Sequence, residues 1–207
     1  SNVTVPSWQS FDAMTGFLVI LTELAIGIGA GLILTIWFSS ALLAGEKIAT
    51  SAGLSFAAQI DPDTGGQTPV VSKIFSIFLT VLFLSWNGHL VVLRTILDTY
   101  QFMPVGTLPN IDALVAGGLT AAGSMFFAAA VIMLPITGFL VAINLAVGVI
   151  SRSSPQMNLF AVGFPISMIV IFVLLYMWVD ALGHSLIELS QTAVESVTAV
   201  LGTMING

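Results

Sequence analysis

The sequence predicts an all-α integral membrane protein with long, kinked or broken helices. Of its 207 residues, 57% are hydrophobic and only 7% are charged, whereas a soluble domain carries about 25% charged residues. The mean hydropathy is +1.07. Several apolar runs also exceed the roughly 20 residues that a helix needs to cross a bilayer.

Two of these runs are too long for a simple span. Residues 16–44 would form a helix of roughly 43 Å, and residues 113–150 one of roughly 57 Å, against a hydrocarbon core of about 30 Å. The first contains a single charge, Glu23, and the second contains none. In the second run, Pro135 followed by Gly138 predicts a kink or a break. Such lengths favour broken helices inside a larger assembly, where irregular backbone at membrane depth is tolerated.

The other segments carry weaker signals. Gly27, Gly29 and Gly31 predict a helix-packing face, since small residues let membrane helices approach closely. Residues 70–97 are interrupted at Trp86-Asn87-Gly88-His89, and a turn is expected at residues 100–112. A polar loop is expected at residues 151–158. The last run, 159–179, precedes an amphipathic segment whose Glu188 and Glu195 share one helical face.

The most polar and most turn-forming stretch is Asp61–Pro69. Pro62 removes a backbone donor, and the adjacent glycines permit positive φ. Its unpaired backbone groups cannot face lipid, so it must lie in water, in a protein cavity or in a pore. We expect it to be the functional centre of the chain. Its residues are Asp61, Pro62, Asp63, Thr64, Gly65, Gly66, Gln67, Thr68 and Pro69.

Two sets of polar residues, the aspartates of the loop and His89, each have two possible roles. Asp61 and Asp63 could hold a hard cation, but turn aspartates that bond local amides are favoured, and no metal site is predicted. His89 is either a proton relay or an interior histidine that bonds across helices. The neighbours Glu46 and Lys47 point to different helical faces and form no obvious pair.

Composition excludes several classes of function. A net charge of −6 is incompatible with a nucleic-acid surface, and the absence of cysteine removes thiol chemistry. No motif of an intramembrane or soluble enzyme is present, so neither catalytic residues nor cofactors are expected.

The basic residues give a weak indication of membrane orientation. If the Arg152 loop is cytoplasmic and each apolar run crosses the membrane once, Lys47 and Lys73 also lie on the cytoplasmic side.

An ordered series of short motifs resembles the FliR family, core membrane components of the bacterial flagellar type III export gate. The series includes Asp61-Pro62 and the Pro104-Val105-Gly106 turn. Ser51-Ala52 replace the Gln-Met usual in that family, and N-terminal hydrophobic segments of the family are missing here. Further family positions in this sequence are Glu46, Asn87, Gly88, His89, Asn144, Gly148, Arg152, Pro155, Gln156, Asn158, Gly163 and Pro165.

The resemblance implies a place in a closed ring with FliP and FliQ subunits, near FlhB, in the inner membrane at the flagellar basal body. It implies that the plug loop, Asp61–Pro69, closes a pore for unfolded flagellar proteins. Asn87 and His89 would support this loop from inside, and residues 152–158 would contact neighbours on the cytoplasmic side. Residues 1–112 would then be FliP-like, and residues 113–207 would form a FliQ-like hairpin with C-terminal helices.

Two alternatives accompany this interpretation. The chain could serve a virulence injectisome, although Gly163-Phe164-Pro165-Ile166 favours the flagellar branch because injectisome relatives tend to have Met-Pro and a basic residue there. It could also be a small secondary transporter with broken helices around a midplane site. That class predicts matching interruptions in two repeated halves, and the sequence has no convincing repeat.

Overall fold

The computed structural model describes residues 12–53, 70–107, 109–153 and 163–206. Within these ranges the chain consists of helices and turns, and no β-strand occurs in them. This confirms the predicted all-α class. The helices are α1 (Ala13–Ser51), α2 (Val70–Ser85), α3 (Gly88–Thr99), α4 (Ile111–Ser153), α5 (Phe164–Met177) and α6 (Val179–Asn206).

Helix length and composition identify a membrane protein. Helices α1 and α4 are each long and apolar enough to cross a membrane alone. Helices α2 and α3 together satisfy the same test but are bent by 62° at their break, and α5 and α6 are bent by 67°. By length and composition, the described chain therefore has two helices that could span a membrane, or up to four such spans if each bent pair is one. The expectation of over-long helices and of broken helices is confirmed, but the breaks lie within the α2–α3 and α5–α6 pairs, and the two over-long helices α1 and α4 are continuous.

The observed bounds of helix α4 differ from the sequence-based expectations at two places, Pro135 and Arg152. It runs without a break through Pro135 for 43 residues, so the predicted break is wrong. Ile132, Ile136 and Leu140 are buried along one face on both sides of the proline. Their packing outweighs the one backbone hydrogen bond that proline removes.

The second correction concerns Arg152, which was expected in a polar loop beginning at Ser151. It lies instead in the last turn of α4, where a cation interacts favourably with the carbonyl end of the helix. The opposite end is capped: the Asn110 Oδ1 atom accepts a hydrogen bond from the Ala113 N–H at 3.1 Å. Asp112 in the first turn matches the helix dipole there.

Contacts divide the chain into two compact units. In its described part, the first unit comprises residues 12–38, 81–107, 109–125 and 189–206. Buried side chains recur on α1 at the three- and four-residue spacing of one helical face, and α6 contributes a second such row. These core residues are Ile26, Ala30, Ile33 and Trp37 on α1, and Val194, Val197, Leu201 and Met204 on α6.

The glycine cluster of α1 packs at one position of three. A Cβ atom on Gly29 would lie 2.6 Å from Leu114 Cδ1, so α4 occupies that space. A Cβ atom on Gly27 or Gly31 would have no atom within 4 Å in the described chain. Helical residues two apart lie about 200° apart around the axis, so the three glycines cannot share one face.

The second unit comprises, among described residues, 39–53, 70–80, 126–153 and 163–188. Its core is built from α1, α2, α4 and α5, with Ile48, Leu79, Leu140 and Ile171 fully buried. Helices α1 and α2 approach each other at the backbone, since a Cβ atom on Gly45 would lie 2.6 Å from Ser72 Cα. Gly45 directly precedes Glu46, one of the family positions named from the sequence, and the close approach of the two backbones explains why a glycine stands there.

Candidate functional site

The predicted site residues divide into those that the structure describes and those that it does not. The plug loop, Asp61–Pro69, lies outside the described residues, as do Pro155, Gln156 and Asn158. The described ones fall at two places, the break between α2 and α3 in the first unit and a group in the second unit. They are Asn87, Gly88 and His89 at the break, and Glu46, Asn144, Gly148, Arg152, Gly163 and Pro165 in the second unit.

The break between α2 and α3 is made by Asn87. This residue has φ 62° and ψ 28°, the left-handed conformation, and is the only non-glycine residue with positive φ in the described ranges. Asparagine tolerates this conformation better than most residues. Its carbonyl accepts the N–H groups of Leu90 and Val91 at 2.9 and 3.2 Å, which starts α3 in its new direction.

Gly88 is required by the aromatic rings around it. A Cβ atom at this position would lie 2.6 Å from Phe83 Cδ2 and 3.0 Å from Trp86 Cζ2. The backbone therefore lies directly against both side chains. The Asn-Gly pair thus serves two purposes, the left-handed turn and the close approach of aromatic rings.

An aromatic cluster holds the break in place. The ring of Phe83 makes edge contacts with Phe38, Trp86 and His89, at centroid distances of 5.2, 6.2 and 6.5 Å. Such edge-to-face pairs are favourable beyond their buried area. The indole N–H of Trp86 donates to Ser190 Oγ on α6 at 3.0 Å. The break is thus bound to α1 and to α6.

His89 lies inside this cluster, next to the Phe83 ring. Its Nδ1 atom is buried and has no hydrogen-bond partner in the part of the chain that the structure describes. The described ranges therefore hold no hydrogen-bond partner for Nδ1 of His89. The role of Asn87 and His89 in supporting the plug loop stays a prediction.

Asn144 joins three helices of the second unit. Its Nδ2–H group donates to the backbone carbonyl of Ser51 at 3.0 Å, and its Oδ1 atom accepts the Ser167 hydroxyl at 2.9 Å. Ser51 is the last residue of α1, and Ser167 is a buried residue near the start of α5. Asn144 therefore satisfies a helix-end carbonyl that has no partner inside α1 and ties it to α4 and α5.

The remaining residues of this group lie apart from Asn144's contacts. Glu46 and Arg152 are exposed, and a Cβ atom on Gly148 would have no atom within 4 Å. Gly163 is buried immediately before α5, and Pro165 lies in the first turn of α5. Proline is favoured there because its fixed φ suits a helix start.

A polar contact that the sequence analysis missed involves Glu23. The Tyr100 hydroxyl donates to Glu23 Oε2 at 2.6 Å, and the Gly106 N–H donates to Oε1 at 3.4 Å. Tyr100 lies in the turn just after α3. Its hydrogen bond to the Glu23 carboxylate, with burial and the nearby negative charge, raises the pKa of Tyr100 to about 12. A lone acid in an apolar helix was the one sequence signal of this site.

Comparison with known proteins defines the class. The family model of the bacterial export proteins, family 1, matches residues 2–193. The chain is 37% identical over 150 residues to the flagellar biosynthetic protein FliR of Escherichia coli (strain K12), covering 72% of this chain and 57% of the relative. It is 31% identical over 161 residues to that of Bacillus subtilis (strain 168), covering 76% of this chain and 62% of the relative.

A third relative has the same name and a similar degree of identity to this chain. The flagellar biosynthetic protein FliR of Pectobacterium carotovorum subsp. carotovorum is 33% identical over 158 residues, which cover 76% of this chain and 60% of that protein. The chain belongs to the FliR family of bacterial export proteins, and the resemblance read from the sequence motifs is confirmed. It spans about three fifths of the length of these relatives.

Proposed function

We propose that the protein is a non-enzymatic subunit of the gate through which a bacterium exports unfolded flagellar proteins. The observation that carries this proposal is the similarity to three proteins named flagellar biosynthetic protein FliR, over at least 72% of this chain. The bent, over-long helices are in keeping with a part of a larger membrane assembly.

The proposed partners are FliP and FliQ subunits in a closed ring, with FlhB beside it, in the inner membrane at the flagellar basal body. Support comes from the surface of α4, which exposes large apolar side chains along its whole length. Leu119, Phe127 and Val149 are 71%, 74% and 68% exposed. Lipid and neighbouring membrane helices are the surroundings that such side chains fit.

The plug loop, Asp61–Pro69, is proposed to close the pore at rest. Its polar, glycine-rich composition between α1 and α2 supports this role, because such backbone is excluded from lipid. Asn144 fixes the end of α1 from which this part of the chain leaves. Gly65-Gly66 would act as low-strain hinges when an unfolded chain passes.

Deletion of Thr64–Gln67 from the full-length protein tests the plug. The expected result is a complex that assembles normally but leaks ions when no substrate is present, because the shortened loop no longer fills the pore. Ion flux into proteoliposomes that contain the purified complex measures the leak. The control is Thr68→Ser, which keeps loop length and the hydroxyl. An assembled deletion complex with the flux of the control would refute the plug assignment.

The phenotype of a gene deletion distinguishes the flagellar function from the injectisome alternative. The curated relatives carry flagellar names, which favours the flagellar branch. We expect loss of the gene in its host to abolish flagellar filaments and swimming. Normal swimming together with lost effector secretion would assign the protein to an injectisome instead.

A further inference from the structure

Glu23 is the only charged residue of α1 between Ala13 and Gly45. A carboxyl group in an apolar membrane helix is unfavourable unless hydrogen bonds compensate it. Arg94 pairs with Asp98 at 3.9 Å, and no basic side chain within the described ranges pairs with Glu23. The proposed export function gives this acid no role.

Both carboxylate oxygens of Glu23 face the turn between α3 and α4, residues 100–107. The 2.6 Å contact with the Tyr100 hydroxyl has the length of a charge-assisted O–H···O⁻ hydrogen bond. The 3.4 Å contact with the Gly106 N–H is longer and weaker. The Glu23 side chain on α1 thus accepts hydrogen bonds from both ends of the turn, at Tyr100 and at Gly106.

The turn is shaped to lie on α1. Gly106 has φ +89°, and a Cβ atom there would lie 2.9 Å from Cγ2 of Val19, one helical turn before Glu23. Met103 is buried, and its N–H donates to the Thr99 carbonyl at 2.8 Å. The Thr107 N–H donates to the Pro104 carbonyl at 3.1 Å. The turn therefore has a defined shape, and its contact with α1 covers two adjacent positions of one helical face.

We propose that Glu23 is a positioning residue whose carboxylate fastens the α3–α4 turn to α1. Release of the turn would leave a carboxylate without its donors in an apolar helix, which opposes movement of the turn away from α1. The first part of α1, helix α3 and the start of α4 are therefore held together at this point. The inference goes beyond the export proposal and does not depend on it.

Hydrogen exchange of the purified full-length protein tests whether Glu23 holds the α3–α4 turn against α1. In Glu23→Leu, we expect the Met103, Gly106 and Thr107 amides to exchange about tenfold faster, the change that loss of a hydrogen bond to a charged group produces. Tyr100→Phe, which removes only one hydroxyl, is expected to act in the same direction. The control is Glu195→Gln, which changes an exposed carboxylate on α6.

A second measurement separates positioning from a general loss of stability. In ¹³Cζ-tyrosine NMR, with Tyr100→Phe assigning the signal, Tyr100 should titrate near pH 12 in the parent protein. In Glu23→Gln, which keeps an acceptor but removes the charge, its pKa should fall towards 10. Unchanged exchange in both Glu23→Leu and Tyr100→Phe, or an unchanged Tyr100 pKa in a folded Glu23→Gln protein, would overturn the proposal. Neither result would bear on export.

Discussion

At Gly45, the missing side chain sets how closely α1 and α2 pack. A Cβ atom would lie 2.6 Å from Ser72 Cα and 2.8 Å from Ser72 N, and backbone atoms cannot yield as a flexible side chain can. We expect Gly45→Ala to lower the free energy of unfolding by about 1–3 kcal/mol, the usual penalty for overpacking. Unfolding of the detergent-solubilised protein, followed by circular dichroism, measures the change.

Gly31→Ala is the matched control, because the same methyl group enters open space on the same helix. We expect it to be neutral or slightly stabilising, since alanine favours helix over glycine by about 1 kcal/mol. Equal destabilisation by the two substitutions would contradict the packing role of Gly45.

The sequence is least informative about individual polar contacts between helices. The family resemblance identified Asn144 but not its partners, and the sequence showed Glu23 only as a lone charge. The hydrogen bonds Asn144–Ser51, Glu23–Tyr100 and Trp86–Ser190 join residues 93, 77 and 104 positions apart. No local period links such pairs, so only the packed helices reveal them.

At the scale of elements, Asn87 determines the break between α2 and α3. A β-branched residue in the left-handed conformation is strained by about 1–2 kcal/mol, whereas glycine adopts it freely. We therefore expect Asn87→Val to lower the free energy of unfolding by about that amount and Asn87→Gly to leave it nearly unchanged. Thermal unfolding of the two variants side by side makes the comparison. Equal stabilities would mean that the left-handed turn does not determine the break.

Helix boundaries were predictable where polar or aromatic residues interrupt a run. Trp86–His89 was read as an interruption, and α2 ends at Ser85 while α3 begins at Gly88. Pro135 suggested a break because proline removes a helical hydrogen bond, whereas Arg152 does lie at a helix end, in the last turn of α4 rather than in the loop after it. In α4 the packing of an apolar face on both sides of Pro135 prevails, and the helix continues to Ser153.

At the scale of the whole molecule, composition predicted a membrane protein, because its charge content is too low for a soluble domain, and the length of the apolar runs predicted helices. The membership of the FliR family followed from ordered motifs rather than from any one of them. The division into a FliP-like part, 1–112, and a FliQ-like part, 113–207, stays a prediction. So does the place of the plug loop, since its residues lie outside the described ranges.

The export proposal requires that the protein be one subunit of a larger membrane complex. Native mass spectrometry of the tagged, full-length protein, purified gently in detergent from its own host, measures whether it is. We expect a single copy of the protein within a complex that contains several copies of two other small membrane proteins, FliP and FliQ. A stable monomer or homodimer, recovered without these proteins and binding a small solute, would mean that the protein is not a subunit of an export complex.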